Sequence, residues 1–192
     1  MAETVLGNAP EKFVYAGLSM GGYAGFEIIR QAPERVEALI LMNTSARPDT
    51  PEQRVPRLGL IELAKTHGVS AVADTVLPVI LAEQNLGNKG LTDTVHRMAK
   101  DTGLDAFLRQ QSAIMGRADS TGSLSAIACP TLVIVGDSDT LTPPERAREI
   151  AEVIPGAELK IIENCGHLST LEQPDAVSAA IRTFLEGAGI GS

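Results

Sequence analysis

Four short runs of branched apolar residues, FVYA (13–16), ALILM (38–42), TLVIV (131–135) and LKII (159–162), largely lack polar alternation. A strand with one face in water alternates polar and apolar residues, whereas a strand that does not is buried on both faces, as in a parallel sheet covered by helices. Helical patterns lie at 20–31, 144–153 and 174–185, with Pro-Pro and Gln-Pro pairs where the latter two begin. The predicted order is strand, helix, strand, a long insert, then strand, helix, strand, helix. That is an α/β chain with a parallel sheet of about four strands and flanking helices. Its 192 residues are read as a single domain spanning 1–192, since a domain typically holds about 100 to 200 residues.

The insert, from about 44 to 128, carries helical patterns at 51–66, 69–81, 92–100 and 104–115 and no convincing strand. Its breaks fall at Gly68, at GNKG (87–90) and at GRAD (116–119). A helical block interrupting an α/β core suggests a cap over a site, and a spacer of packed helices is the plainer alternative.

Aromatic residues make up 3% of the chain and Trp is absent, so Leu, Ile, Val and Ala must fill the interior. A formal net charge of −8 repels phosphate backbones and anionic lipid, and no Lys/Arg cluster offsets it. Nucleic acid and membrane are therefore poor partners. The first ten residues lack a secretory pattern, and the longest apolar runs, such as 76–82, are far too short to span a bilayer. A soluble, cytoplasmic protein is expected. Cys129 and Cys165 have neither metal-ligand spacing nor the density of a disulfide scaffold, and are read as buried thiols.

Chemistry concentrates in GLSMG (17–21), which matches G-x-S-x-G with an apolar strand before it and a helix pattern after it. A serine there could merely cap the helix. It could instead stand on a strained turn as a nucleophile, with flanking glycines because larger side chains two residues away would collide. In the second case Ser19 lies at the positive end of the helix dipole, and the Met20 amide can donate to an oxyanion.

Such a serine needs a base, and the base needs a third group to hold its tautomer. Of three histidines, His67 and His96 lie in the insert among polar neighbours and read as solvated or loosely packed. His167 follows the fourth strand on a glycine-marked loop, at the strand end where α/β proteins place their sites. The acid is expected between Ser and His in chain order, where Asp137 and Asp139 end the third strand; either could instead cap the next helix. The second strand ends at Asn43, whose amide is a poorer partner for an imidazolium.

In these stretches the chain resembles the α/β-hydrolase family, within it the small esterase and enol-lactonase-like group. GLSMGG, VGDSDTLTPP and NCGHLSTLEQPD carry the likeness, in the family's order and roughly its spacing. The resemblance implies Ser19 as nucleophile, His167 as base and, from the distance to the strand-end glycine, Asp139 as acid. LMNTSARPDTPEQ resembles the segment leading into the cap, with Asn43 where an Asp is common. A partial α/β-hydrolase fold follows, with a cap at about 44–128.

The likeness covers the later part of a family domain. Residues 1–8 resemble the helix before the elbow strand, and the strands that usually precede it, with their His-Gly-type loop, have no counterpart before Ser19. Met20 is then the only oxyanion donor that can be assigned. Loss of a second donor costs about 3 to 4 kcal/mol of transition-state stabilisation, so activity a hundredfold or more below a complete relative is expected. The strand at 13–16 becomes an edge with unpaired amides, which invites a symmetric homodimer.

The implied function is hydrolysis of a carboxylic ester or lactone by a Ser-His-Asp triad, with neither a metal nor an organic cofactor. Leu77, Ile80, Leu81, Phe107 and Met115 hint at an apolar acyl part, or form the insert's own core. The alternatives are a catalytically weak, truncated fold that acts as a scaffold or needs a complementing chain, and a related cofactor-free chemistry such as perhydrolysis or C–C bond hydrolysis.

Overall fold

A computed structural model describes residues 1–190. Four parallel strands, β1 (Phe13–Leu18), β2 (Val36–Met42), β3 (Thr131–Gly136) and β4 (Glu158–Ile162), form one sheet in the order β1-β2-β3-β4. The α/β class and the parallel sheet expected from the apolar runs are both present. Helices α1 (Ala2–Asn8), α2 (Met20–Gln31), α5 (Pro144–Val153), the single turn α6 (Ser169–Glu172) and α7 (Pro174–Gly187) surround the sheet.

β2 and β3 show why the runs lack alternation. Leu39, Leu41, Val133 and Val135 pack on one face with Phe26 and Ile28 of α2 and Ile150 of α5. Ala38, Ile40, Met42, Leu132 and Ile134 pack on the other with Val177 and Phe184 of α7. Each fully buried Leu or Ile contributes about 1.5 to 3 kcal/mol over its exposed state. β1 differs, because it pairs with β2 alone; Val14 and Tyr15 are half-buried and Ala16 is exposed.

The insert is helical throughout its regular structure, with α3 (Pro51–Ile80) and α4 (Lys89–Met115) packed on each other. A capping box starts α3: Thr50 accepts from the Gln53 amide while Gln53 reaches back to the Thr50 amide. Each long helix is really two, divided at Gly68 (φ 82°) and Gly103 (φ 70°). At these points the backbone enters a region that favours glycine. The break at Gly68 is the expected one, and the gap between 100 and 104 is taken up by Gly103.

The insert leaves and returns at one place. The Ser120 amide donates to the Ala46 carbonyl at 2.8 Å. Beside that bond, buried Asp49 pairs with Arg57 of α3 and with Arg117 just beyond α4, and the Arg117 guanidinium lies over the Tyr23 ring at 4.3 Å. Among the described residues no helix is long and apolar enough to cross a membrane.

Candidate active site

In a parallel sheet of this kind the loops beyond the strands' C-terminal ends share one rim, and the residues singled out from sequence lie there. Ser19 follows β1, Asn43 follows β2, Asp139 lies in the loop after β3 and His167 in the loop after β4.

Ser19 stands between strand and helix at φ 52° and ψ −111°, and its side chain makes no capping bond. The helix-cap explanation therefore fails, because a capping serine has extended backbone and its side-chain oxygen accepts from an amide of the first turn. A non-glycine residue at positive φ is strained. Neighbouring bonds hold it: the Ser19 amide donates to the Met42 carbonyl at 2.8 Å, and the Ser19 carbonyl accepts from the Thr44 hydroxyl at 2.8 Å and the Gly22 amide at 2.9 Å. Ser19 is half-buried. Met20 opens α2, so its amide is a first-turn donor without a partner inside the helix.

The glycines are crowded in a different pattern from the expected one. A Cβ on Gly17 would overlap the Gly21 carbonyl, and one on Gly22 would overlap the Thr44 side chain. A Cβ on Gly21 would meet only the Tyr15 hydroxyl at 3.9 Å, so the residue two places after the serine is not sterically confined. The close approach belongs one position later.

Asp139 and His167 come together. Nδ1 of His167 lies 2.9 Å from Oδ2 of Asp139, and both residues are buried. Asp139 Oδ2 also accepts from the Thr142 hydroxyl at 2.7 Å and the Asn43 side-chain amide at 2.9 Å, while Oδ1 accepts from the amides of Leu141 and Thr142. Burial pushes the Asp139 carboxyl up, but the hydrogen bond and charge of His167, then the Asn43 and Thr142 bonds, outweigh it and leave the group below its usual value. Asp137 points elsewhere, accepting from the amides of Asn164 and Cys165 and bracing the histidine loop. Among the described residues this hydrogen-bond chain does not include the Ser19 hydroxyl.

Asn43, weighed from sequence only as a weak substitute for an acid, serves instead as a donor. It stands at φ 46°, donates to Asp139 and to the Gly166 carbonyl, and accepts from the Ser169 hydroxyl at 2.6 Å. Thr142 was not singled out from sequence, although its place three residues after Asp139 is that of a side chain closing a turn. His67 is exposed and bonded to Thr66, and His96 faces Asp74 at 3.3 Å across the insert. Cys129 and Cys165 are free thiols, half-buried and buried; burial, helped by the nearby charges of Glu172, Asp137 and Asp139, pushes Cys165 up to about 12.

A cavity of about 320 Å³ opens between α2 and the return from the insert, lined among others by Met20, Tyr23, Ser45 and Arg117; neither Ser19 nor His167 lines it. Among the described residues no group of three or more His, Cys, Asp or Glu side chains is placed to hold a metal ion.

Comparison with known proteins agrees with this layout. Residues 2–180 match the profile described as the alpha/beta hydrolase family. A thermophilic esterase from Thermogutta terrifontis superposes with a TM-score of 0.86 at 35% identity, over 93% of this chain and 66% of its own. The enol-lactonase from Burkholderia xenovorans LB400 gives 0.82 at 30% identity, over 92% and 66%. The pimeloyl-[acyl-carrier protein] methyl ester esterase of Nitrosospira multiformis is 29% identical over 96% of this chain and 72% of its own. The chain thus spans about two thirds of the length of these relatives, and on the strength of the family match it belongs to the α/β-hydrolase family.

Proposed function

We propose that the chain is a serine hydrolase of carboxylic esters or lactones. Ser19 Oγ attacks the carbonyl carbon while His167 takes its proton, and the Met20 amide donates to the oxyanion. Collapse expels the alcohol, protonated by His167, and leaves an acyl-Ser19 ester. Water, deprotonated by His167, then releases the acid and restores the serine. Asp139 holds the imidazole with Nδ1 protonated and stabilises it when charged. The observation that supports this most is the buried 2.9 Å pair of His167 and Asp139 at the rim where Ser19 stands strained and uncapped.

The insert at about 44–128 is proposed as a cap within one domain of 1–192, and the setting as the cytoplasm. The free edge of β1 is proposed to join a second copy in a homodimer. Light scattering at micromolar concentration that shows only the 20.2 kDa monomer would exclude that assembly.

Incubation with short p-nitrophenyl esters and a serine-reactive fluorophosphonate tests the chemistry. Labelling at Ser19 and turnover, both abolished in Ser19→Ala, are expected. Absence of both in the parent protein favours instead a scaffold or a fold needing a complementing chain, for which the short span against its relatives is the supporting observation.

A further inference from the structure

Glu172 ends α6 with only 8% of its surface exposed, and it takes no part in the Asp139–His167 pair. A buried carboxylate is costly unless its lone pairs are met. Four N–H donors meet them here. Oε1 accepts from the amides of Gly166 at 3.0 Å and Leu168 at 3.2 Å, the residues on either side of His167. Oε2 accepts from the Ala82 amide and the Asn85 side chain, each at 2.8 Å, and both lie in the turn between α3 and α4 of the insert.

Two further observations join the same segments. The amides of His167 and Leu168 both donate to the Ile80 carbonyl, at 3.0 and 3.2 Å. The contact is too close for a side chain, since a Cβ on Gly166 would lie 2.5 Å from the Ala82 nitrogen and 2.9 Å from Glu172 Oε1.

We infer that Glu172 is a positioning residue: by clamping the amides flanking His167 and bonding the α3–α4 turn, it makes the insert part of the support that aims the imidazole at Asp139. The inference rests on His167 being the base. The insert cannot lift at this turn without loosening the base, so substrate access must open elsewhere along it.

Glu172→Gln keeps the volume but turns an N–H donor toward N–H donors. On p-nitrophenyl esters its kcat is expected to fall about 10- to 100-fold, with KM within about twofold of the parent. The downfield proton resonance of His167 Nδ1–H should broaden or vanish, and hydrogen exchange should accelerate together in 80–86 and 164–169. Unchanged kcat with an intact resonance, or acceleration confined to one segment, would overturn the inference. Should Glu172→Gln fail to fold, Asn85→Ala removes one donor from a half-buried position. Because the Asn85 side chain also donates to the Asn164 carbonyl at 3.4 Å, the readout is 166–169, on the far side of the carboxylate. The variant is expected to lower kcat by less and to speed exchange there, and unaltered exchange at 166–169 also overturns the inference. If the parent shows neither turnover nor Ser19 labelling, the hydrolase reading fails, while exchange and the imidazole resonance still decide the clamp.

Discussion

The Asn43 amide nitrogen lies 2.9 Å from Oδ2 of Asp139, the same oxygen that meets the His167 ring. The residue after β2 therefore supplies a neutral donor to the carboxylate rather than a charge of its own.

Replacing Asn43 with Asp would set two carboxylates in contact, and one would hold a proton above its usual pKa. A raised folded-state pKa means that Asn43→Asp is tolerated best in acid and loses stability as pH rises through that value. At pH 7 the variant should be about 2 to 4 kcal/mol less stable than the parent, with the gap narrowing below about pH 4. Chemical unfolding across that range checks this, and a gap that does not change with pH would refute it.

For Asp139 the sign is opposite. Its folded-state value lies below the usual 3.8, so the stabilisation of the ionised group is complete above that value and fades as pH falls through the lower one. The stability advantage of the parent over Asp139→Asn should therefore shrink only in strong acid. On the proposed mechanism, fluorophosphonate labelling of Asp139→Asn should also slow by about 10³-fold or more at neutral pH. Labelling at the parental rate would remove Asp139 from the triad.

Asp49 accepts from two arginines, and its side chain is 3% exposed. Burial pushes its carboxyl up, but the Arg117 and Arg57 bonds more than offset this. Asp49→Asn leaves both guanidinium groups, mostly buried, without a counter-charge and should cost about 3 kcal/mol. A thermal unfolding midpoint within one degree of the parent would show that the clamp contributes little.

Around the elbow, Gly21→Ala should be accepted, because its Cβ makes only an ordinary contact with the Tyr15 hydroxyl and alanine favours helix by about 1 kcal/mol over glycine. Gly17→Ala and Gly22→Ala should each cost at least about 2 kcal/mol, since backbone or Thr44 must shift. Equal tolerance at all three positions, measured by urea midpoints, would contradict the packing described.

The strands were legible because the sheet is covered on both faces, which erases polar alternation in β2 and β3. Gly68 was legible as a break because glycine is the residue that tolerates its backbone; Gly103, with the same kind of backbone, was not singled out although it falls between the two helical patterns. Ser19 and His167 stood out through neighbouring glycines and strand ends. Chain order alone left Asp137 and Asp139 both open, and the family's pattern pointed to Asp139; the fold shows why they differ, since one braces a loop and the other meets the ring. The Asp139 partner of Asn43 and the Ala82 partner of Glu172 were hidden for a physical reason. Asn43 and Asp139 are 96 positions apart, and Glu172 and Ala82 are 90, so no local pattern records these bonds.

The bond between Ala46 and Ser120 makes 47–119 an excursion that departs from and rejoins the molecule at a single point. Such a segment behaves as an exchangeable cassette: its length and chemistry can vary between the two junctions while the strand register beneath is preserved, provided a graft keeps the docking of its far turn against Glu172.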